Sequence, residues 1–224
     1  FTGRRCVFVL IYKILSIISY ILFIPTFVLC AIMLIIISII SLPLFYMVDK
    51  FFCRIIMATF FIWPEIRGAF PKDGTYIIMM NHSSFLDVFI FPLIPRGRYT
   101  GVSAAKNFKI PVFSTLIRRI QAIPIERKNL KAAIKSIKRA EKVLKKNIHI
   151  GILPEGTRTL NGRIGILKKG GFHMAINTNT PIVPVGVSGA FNFKPKNRWW
   201  TKPGPITINI GEAINTDIYS ELKL

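Results

Sequence analysis

Thr75-Tyr76-Ile77-Ile78-Met79-Met80, then Asn81-His82-Ser83-Ser84, then the apolar run Phe85–Leu93, is the stretch that decides the fold. Six β-prone or apolar residues read as a strand, a short polar break as a turn, and the run after it as a helix. The pattern recurs downstream. Tyr99–Ala104 is a strand candidate, followed by Lys106 and a helix from Pro111 to Ile120. Ala122–Ile125, Ile148–Leu153, Pro181–Val187 and Pro205–Ile210 are further extended segments, with helices over Leu130–Lys146 and Gly171–Thr178. In the first of these helices Ala133, Ile137, Ala140 and Leu144 recur at helical spacing, and its lysines form a solvated face. Strands alternating with helices predict an α/β domain with a mixed, mostly parallel sheet flanked by helices. No repeat and no low-complexity linker interrupts residues 64–224, which are expected to form one domain.

Residues 1–63 have a different texture. From Val7 to Phe45 the only charge is Lys13, a stretch too long and too weakly punctuated for a secretory signal peptide. Pro25 divides it into Val7–Ile24 and Thr26–Leu42, each about 26 Å long as a helix, slightly short of a ~30 Å hydrocarbon core. No polar loop separates the halves. A re-entrant helical hairpin in one leaflet is the expected form, with a single tilted helix or a two-span hairpin as alternatives. Met47–Trp63 reads as an amphipathic interfacial helix, with Lys50 and Arg54 four apart among aromatic and aliphatic residues. Arg4 and Arg5 at one end, with Lys50 and Arg54 at the other, place the segment at the cytoplasmic face. The Phe1 start and the charged end at Leu224 suggest a trimmed chain.

Composition narrows the partners. The chain of 224 residues is 51% hydrophobic yet carries a formal charge of +21, from 31 basic and 10 acidic residues. Such a charge attracts either nucleic acid or anionic lipid. The apolar head decides for membrane lipids and against nucleic acid. Cys6, Cys30 and Cys53 lie in or near the apolar region without a His beside them, so neither a metal site nor a disulfide framework is expected.

His82 and Asp87 are the first candidates for chemistry. Five residues apart on one ideal helix, they would point about 140° apart. With His82 at the strand end and Asp87 in the first turn of the next helix they can meet, and a carboxylate on one imidazole nitrogen would leave the other as a general base. The competing structural role is a capping box, Ser84 at the N-cap and Asp87 at N3. Asn81-His82-Ser83 is also a glycosylation sequon, a triplet common by chance. Glu155-Gly156-Thr157-Arg158 follows another strand: Gly156 permits close approach of a ligand and Arg158 offers forked donors to a phosphate. Lys106, Arg127 and Lys168 are further cations placed after strands or beside that turn, where open α/β sheets bind ligands.

Together these blocks resemble the glycerophospholipid acyltransferases, specifically the 1-acyl-glycerol-3-phosphate acyltransferases. His82-x4-Asp87 matches the family's first motif. Ala122-Ile123-Pro124-Ile125-Glu126-Arg127 looks like the second, although Ala122 stands where Gly is usual and Glu126 precedes the Arg. Pro154-Glu155-Gly156-Thr157-Arg158 matches the third and Pro181-Ile182-Val183-Pro184-Val185 the fourth. The resemblance implies transfer of an acyl group from acyl-CoA or acyl-carrier protein to lysophosphatidic acid, with His82 and Asp87 catalytic. Lys106, Arg127, Glu155, Gly156, Thr157, Arg158 and Lys168 would bind substrate. It implies no cofactor and no metal. Glu155 would order the pocket or bond the glycerol, and the backbone N–H groups of Ser83 and Ser84 would stabilise the oxyanion. Another lysolipid, such as a lyso-ornithine lipid, is an alternative acceptor, and a non-catalytic membrane-bound basic protein an alternative to the enzyme.

Overall fold

Residues 2–125 and 130–217 are described by the structure, a computed structural model. The chain opens with helices α1 (Thr2–Ile40) and α2 (Leu42–Ala58), joined at Ser41. The body follows as β1 (Glu65–Arg67), β2 (Ile77–Met80), α3 (Asp87–Ile90), β3 (Tyr99–Ala104), α4 (Phe113–Arg119) and β4 (Ile123–Ile125). Then come α5 (Leu130–Leu144), β5 (His149–Ile152), α6 (Gly170–Asn177), β6 (Ile182–Ser188), α7 (Ala190–Phe193) and β7 (Thr207–Ile210). The seven strands form one sheet in the order β1-β7-β6-β2-β5-β3-β4. All neighbours pair in parallel except β6 and β7. The mixed, mostly parallel α/β sheet expected from the sequence is therefore present.

Alternation along the central strand explains its burial on both faces. In β2, Ile78 and Met80 enter one core with Phe45, Phe52, Ile56 and Phe60. Ile77 and Met79 enter the opposite core with Ala140, Leu144, Met174 and Ala175 of α5 and α6. A strand buried on both faces carries no polar alternation, which is why Ile77–Met80 reads as a continuous apolar run. Gly151 in β5 has a packing reason: a Cβ there would lie 2.3 Å from the Phe91 ring. Gly151→Ala is expected to destabilise the fold by about 1–3 kcal/mol through overpacking, measurable as a lowered Tm. An unchanged Tm would mean that the ring moves aside freely.

The expected break at Pro25 is absent. α1 runs through it for 39 residues, about 58 Å at ~1.5 Å per residue. An internal proline costs a helix about 3 kcal/mol. Here tertiary packing offsets that cost: Phe23 and Phe27 stack on each other and set their rings against Phe60, Phe85 and Phe89. The chain instead changes direction at Ser41, whose backbone is extended (φ −154°) and whose hydroxyl accepts the Leu44 N–H at 3.3 Å. Pro43 follows in the first turn of α2, where it sacrifices no helix hydrogen bond. α2 starts five residues before the amphipathic segment read from sequence, because this cap, not Met47, sets its beginning.

α1 has two sides. Ser16, Ser19, Cys30, Ala31, Leu34 and Ser38 are buried, with Tyr20, Phe23 and Phe27 packed between them. This is one stripe at spacings of three and four, running down the helix. Ser16 meets the Thr201 hydroxyl at 3.1 Å and accepts the Thr201 N–H at 2.7 Å, and the Tyr20 hydroxyl donates to the Trp199 carbonyl at 2.7 Å. The opposite side exposes Ile17, Ile18, Ile21, Leu22, Val28, Leu29, Ile32 and Met33, among others. Val7–Ile40 is long and apolar enough to cross a membrane. The packed stripe shows that α1 lies along the body for most of its length.

Candidate active site

Parallel pairing in register brings the ends of β2, β5 and β3 to one edge of the sheet: Met79 is opposite Ile152, and Thr100 opposite Ile150. The residues that leave these strands converge there. His82 leaves β2, Glu155–Arg158 leave β5, and Lys106 sits in the 3₁₀ turn Ala105–Lys109 after β3.

His82 and Asp87 meet as the spacing allows. The imidazole Nδ1 lies 2.7 Å from Asp87 Oδ2. That one oxygen also accepts the N–H groups of Ser83 at 2.9 Å and Ser84 at 3.1 Å. Asp87 is buried, whereas the His82 ring is partly open to a cavity. The capping role is half realised: Asp87 accepts the Ser84 N–H as an N3 residue would, but the Ser84 hydroxyl donates instead to the Lys194 carbonyl at 3.3 Å. One carboxylate thus fixes both the turn and the ring. The same contacts overturn the expectation for Ser83 and Ser84, since their N–H groups are committed to Asp87 and cannot serve an oxyanion.

Two side chains hold the turn that carries His82. The buried carboxylate of Glu155 accepts the His82 N–H at 2.7 Å through Oε1 and the Gly165 N–H at 2.9 Å through Oε2. Of the two roles expected for Glu155, the contacts support ordering the pocket. Asn81 clamps the turn to β6: its Oδ1 accepts the Val187 N–H at 2.6 Å, and its Nδ2 donates to the Val187 carbonyl at 3.0 Å and the Ser83 hydroxyl at 2.9 Å. The sequon amide is thus committed inside the protein. Gly156 takes φ +70°, a left-handed turn that suits glycine.

A cavity of about 1670 Å³ opens from His82. Lys106, Glu155, Gly156, Thr157, Arg158 and Lys168 all line it beside His82 and Asp87. Arg127, the remaining substrate-binding candidate, lies outside the described residues together with Glu126 before it. Away from the polar end, the cavity continues as an apolar arm beneath α1 and α2, past Phe27, Cys30, Leu34, Phe45 and Ile56. Asp49 sits on this arm, accepting the hydroxyl of Tyr99 and the Cys53 thiol at 3.6 Å, and burial pushes its carboxyl up.

Two cations at the site escaped the sequence reading. Lys196 lines the cavity. Lys194 lies 5.7 Å over the Phe85 ring, and burial, then the charges of Arg158 and Arg198, hold its ammonium below the usual lysine value. A dianionic ligand between Arg158 and Lys194 would relieve that repulsion.

A family model described as Acyltransferase matches residues 64–188. A 1-acyl-sn-glycerol-3-phosphate acyltransferase of Cocos nucifera is 37% identical over 161 residues, covering 71% of this chain and 52% of that protein. One from Limnanthes alba is 35% identical over 162 residues, with 71% and 57% covered. The chain spans little more than half the length of these curated relatives. The crystal structure of the 1-acyl-sn-glycerophosphate (LPA) acyltransferase PlsC from Thermotoga maritima shares the fold, with a TM-score of 0.82 at 22% identity over 96% of this chain and 89% of that one.

Proposed function

Since the chain belongs to the acyltransferase family, we propose that it transfers an acyl group from acyl-CoA or acyl-carrier protein to the free hydroxyl of 1-acyl-glycerol-3-phosphate, giving phosphatidic acid. The observation that carries this reading is a single cavity in which His82 faces a cluster of cations at one end and an apolar arm at the other. A phosphate and an acyl chain on one substrate have that polarity.

In this mechanism the His82 Nδ1–H donates to Asp87, and Nε2 takes the proton of the acceptor hydroxyl. The oxygen attacks the thioester carbonyl, the C–S bond breaks, and His82 returns the proton to the leaving thiolate. An ester and a free thiol result, without an acyl-enzyme and without a metal or cofactor. Arg158, Lys106 and Lys168 hold the acceptor phosphate, joined by Lys194 and Lys196. Glu155 and Asn81 position His82 through its backbone and its neighbours.

The outer face of α1 supports membrane seating. Its exposed isoleucines and leucines rest in one leaflet while the buried stripe grips the body, at the cytoplasmic face. The division at residue 63, between a membrane-seated segment and the catalytic body, belongs to the same proposal. Leaving acyl chains partly in lipid avoids an extraction cost of ~0.8 kcal/mol per CH₂.

Purified protein should form phosphatidic acid from lysophosphatidic acid and an acyl thioester; no product with either donor would refute the reading. Arg158→Ala is expected to raise the acceptor KM about 10–100-fold, the equivalent of the ~1.5–3 kcal/mol of a hydrogen bond to a charged group. An equal loss on a phosphate-free lysolipid would show that Arg158 does not read the phosphate.

A further inference from the structure

Between the Pro154–Arg158 turn and α6 the chain reads Thr-Leu-Asn-Gly-Arg-Ile-Gly-Ile-Leu-Lys-Lys over residues 159–169. Its apolar side chains face out. Leu160 is 65% exposed, Ile164 70%, Ile166 87% and Leu167 43%. Ile166 is the most exposed large apolar side chain among the described residues. Isolated exposed hydrophobes are ordinary; four in eight residues mark a contact surface.

The loop is built to present them. The Thr159 N–H donates to the His82 carbonyl at 2.9 Å, and the Gly165 N–H to Glu155 at 2.9 Å. Asn161 Oδ1 accepts the Arg163 N–H at 3.0 Å, and the Thr159 hydroxyl accepts the Gly162 N–H at 3.1 Å. At its end the Lys168 N–H donates to the Pro154 carbonyl at 2.8 Å. These bonds run inward to the catalytic turn or close within the loop, so the isoleucines project from a shaped turn.

Charge identifies the partner. Arg163, Lys168 and Lys169 interleave with the apolar residues, and no acidic residue occurs from Gly156 to Gly211. Apolar side chains flanked by cations suit the interface of an anionic membrane, the first in the acyl region and the second among headgroups. The loop and the middle of α1 also meet the same catalytic segment. Phe85 and Phe89 on the catalytic turn take Phe23 and Phe27 of α1, while Thr159 bonds His82 in that same turn.

We propose that residues 160–167 form a second lipid-contacting element, inserting beside the mouth of the cavity and tied to His82 through Glu155 and Thr159. The inference extends the membrane seating proposed above by assigning lipid contact to the catalytic body itself.

The test uses full-length protein carrying Cys6→Ser and Ile166→Cys, labelled with nitrobenzoxadiazole; Cys30 and Cys53 are buried. Bound to vesicles of equal parts phosphatidylcholine and phosphatidylglycerol, the label should shift to the blue and be quenched by lipids spin-labelled high on the acyl chain. A label at Asp73→Cys, in an exposed turn before β2 at the other end of the sheet, should remain in water. Two equally aqueous labels on vesicle-bound protein would overturn the proposal, as would failure of the protein to sediment with the vesicles. In a second measurement, Ile164→Ser with Ile166→Ser should lower turnover of a vesicle-borne acceptor about tenfold. Turnover of a soluble short-chain acceptor should stay within about twofold. Equal losses on both would overturn the surface role. Parent protein inactive on both acceptors would refute the acyltransferase reading, with the labels still deciding the loop.

Discussion

Replacing His82 with Ala is expected to lower turnover about 10²–10⁴-fold, the usual worth of a positioned general base, while leaving the fold intact. The fold should survive because the groups that organise the turn are not in the ring. The His82 N–H still donates to Glu155, its carbonyl still accepts from Thr159, and Asp87 still accepts the N–H groups of Ser83 and Ser84. Steady-state kinetics on both donors, with a thermal melt of the same preparation, is the check. Turnover within a few-fold of the parent chain would remove His82 from the chemistry. A collapsed melt would instead reveal a structural residue.

Asp87→Ala should be worse in kind, costing stability as well as rate. It removes an oxygen that accepts three hydrogen bonds and leaves the Ser83 and Ser84 N–H groups buried without their acceptor. At ~1–3 kcal/mol for each orphaned group, the fold should lose about 2–6 kcal/mol. The ring would also lose the partner that fixes its tautomer. Asp87→Asn separates the two contributions. Its carbonyl can replace Oδ2, but the amide nitrogen falls at the position of Oδ1, which no protein side chain or backbone group bonds. The stability loss should therefore be about half of that for Ala, about 1–3 kcal/mol for a single buried unpaired donor. The rate should still fall about 10²–10⁴-fold, because the negative charge opposite the imidazolium is gone. If Asn kept full turnover, Asp87 would be a helix cap and nothing more.

Both residues could be found in the sequence, and the reason is local. A strand, a polar break and an apolar run fixed His82 at a strand end and Asp87 within a turn of the next helix, so their contact followed from near neighbours. The same held for Glu155–Arg158 after β5 and Lys106 after β3, because each leaves the same edge of a parallel sheet. Where the partner is distant, the reading failed. Pro25 looked like a reversal because its cost is local, while the rings that offset it, Phe60, Phe85 and Phe89, lie 35 or more residues later by the numbering. Lys196 comes to the cavity, and Lys194 to the Phe85 ring beside it, only through β6 and α7, and among 31 basic residues nothing in the sequence marked them. β1 escaped because three exposed residues carry no burial pattern. The commitment of the Ser83 and Ser84 N–H groups to Asp87 needed atomic distances.

The way α1 is held has a practical meaning for anyone wanting a water-soluble version of this protein. A membrane tether can be cut off and the catalyst kept; α1 is not a tether. Phe60, Phe85 and Phe89 have Phe23 and Phe27 as their cover, and the apolar arm of the cavity has Phe27, Cys30 and Leu34 as one wall. Truncation before Ser41 would strip the lid from the pocket and trade one greasy surface for another, this time next to His82. Solubility has to be engineered on the outer side of the helix, residue by residue, with its inner stripe left alone.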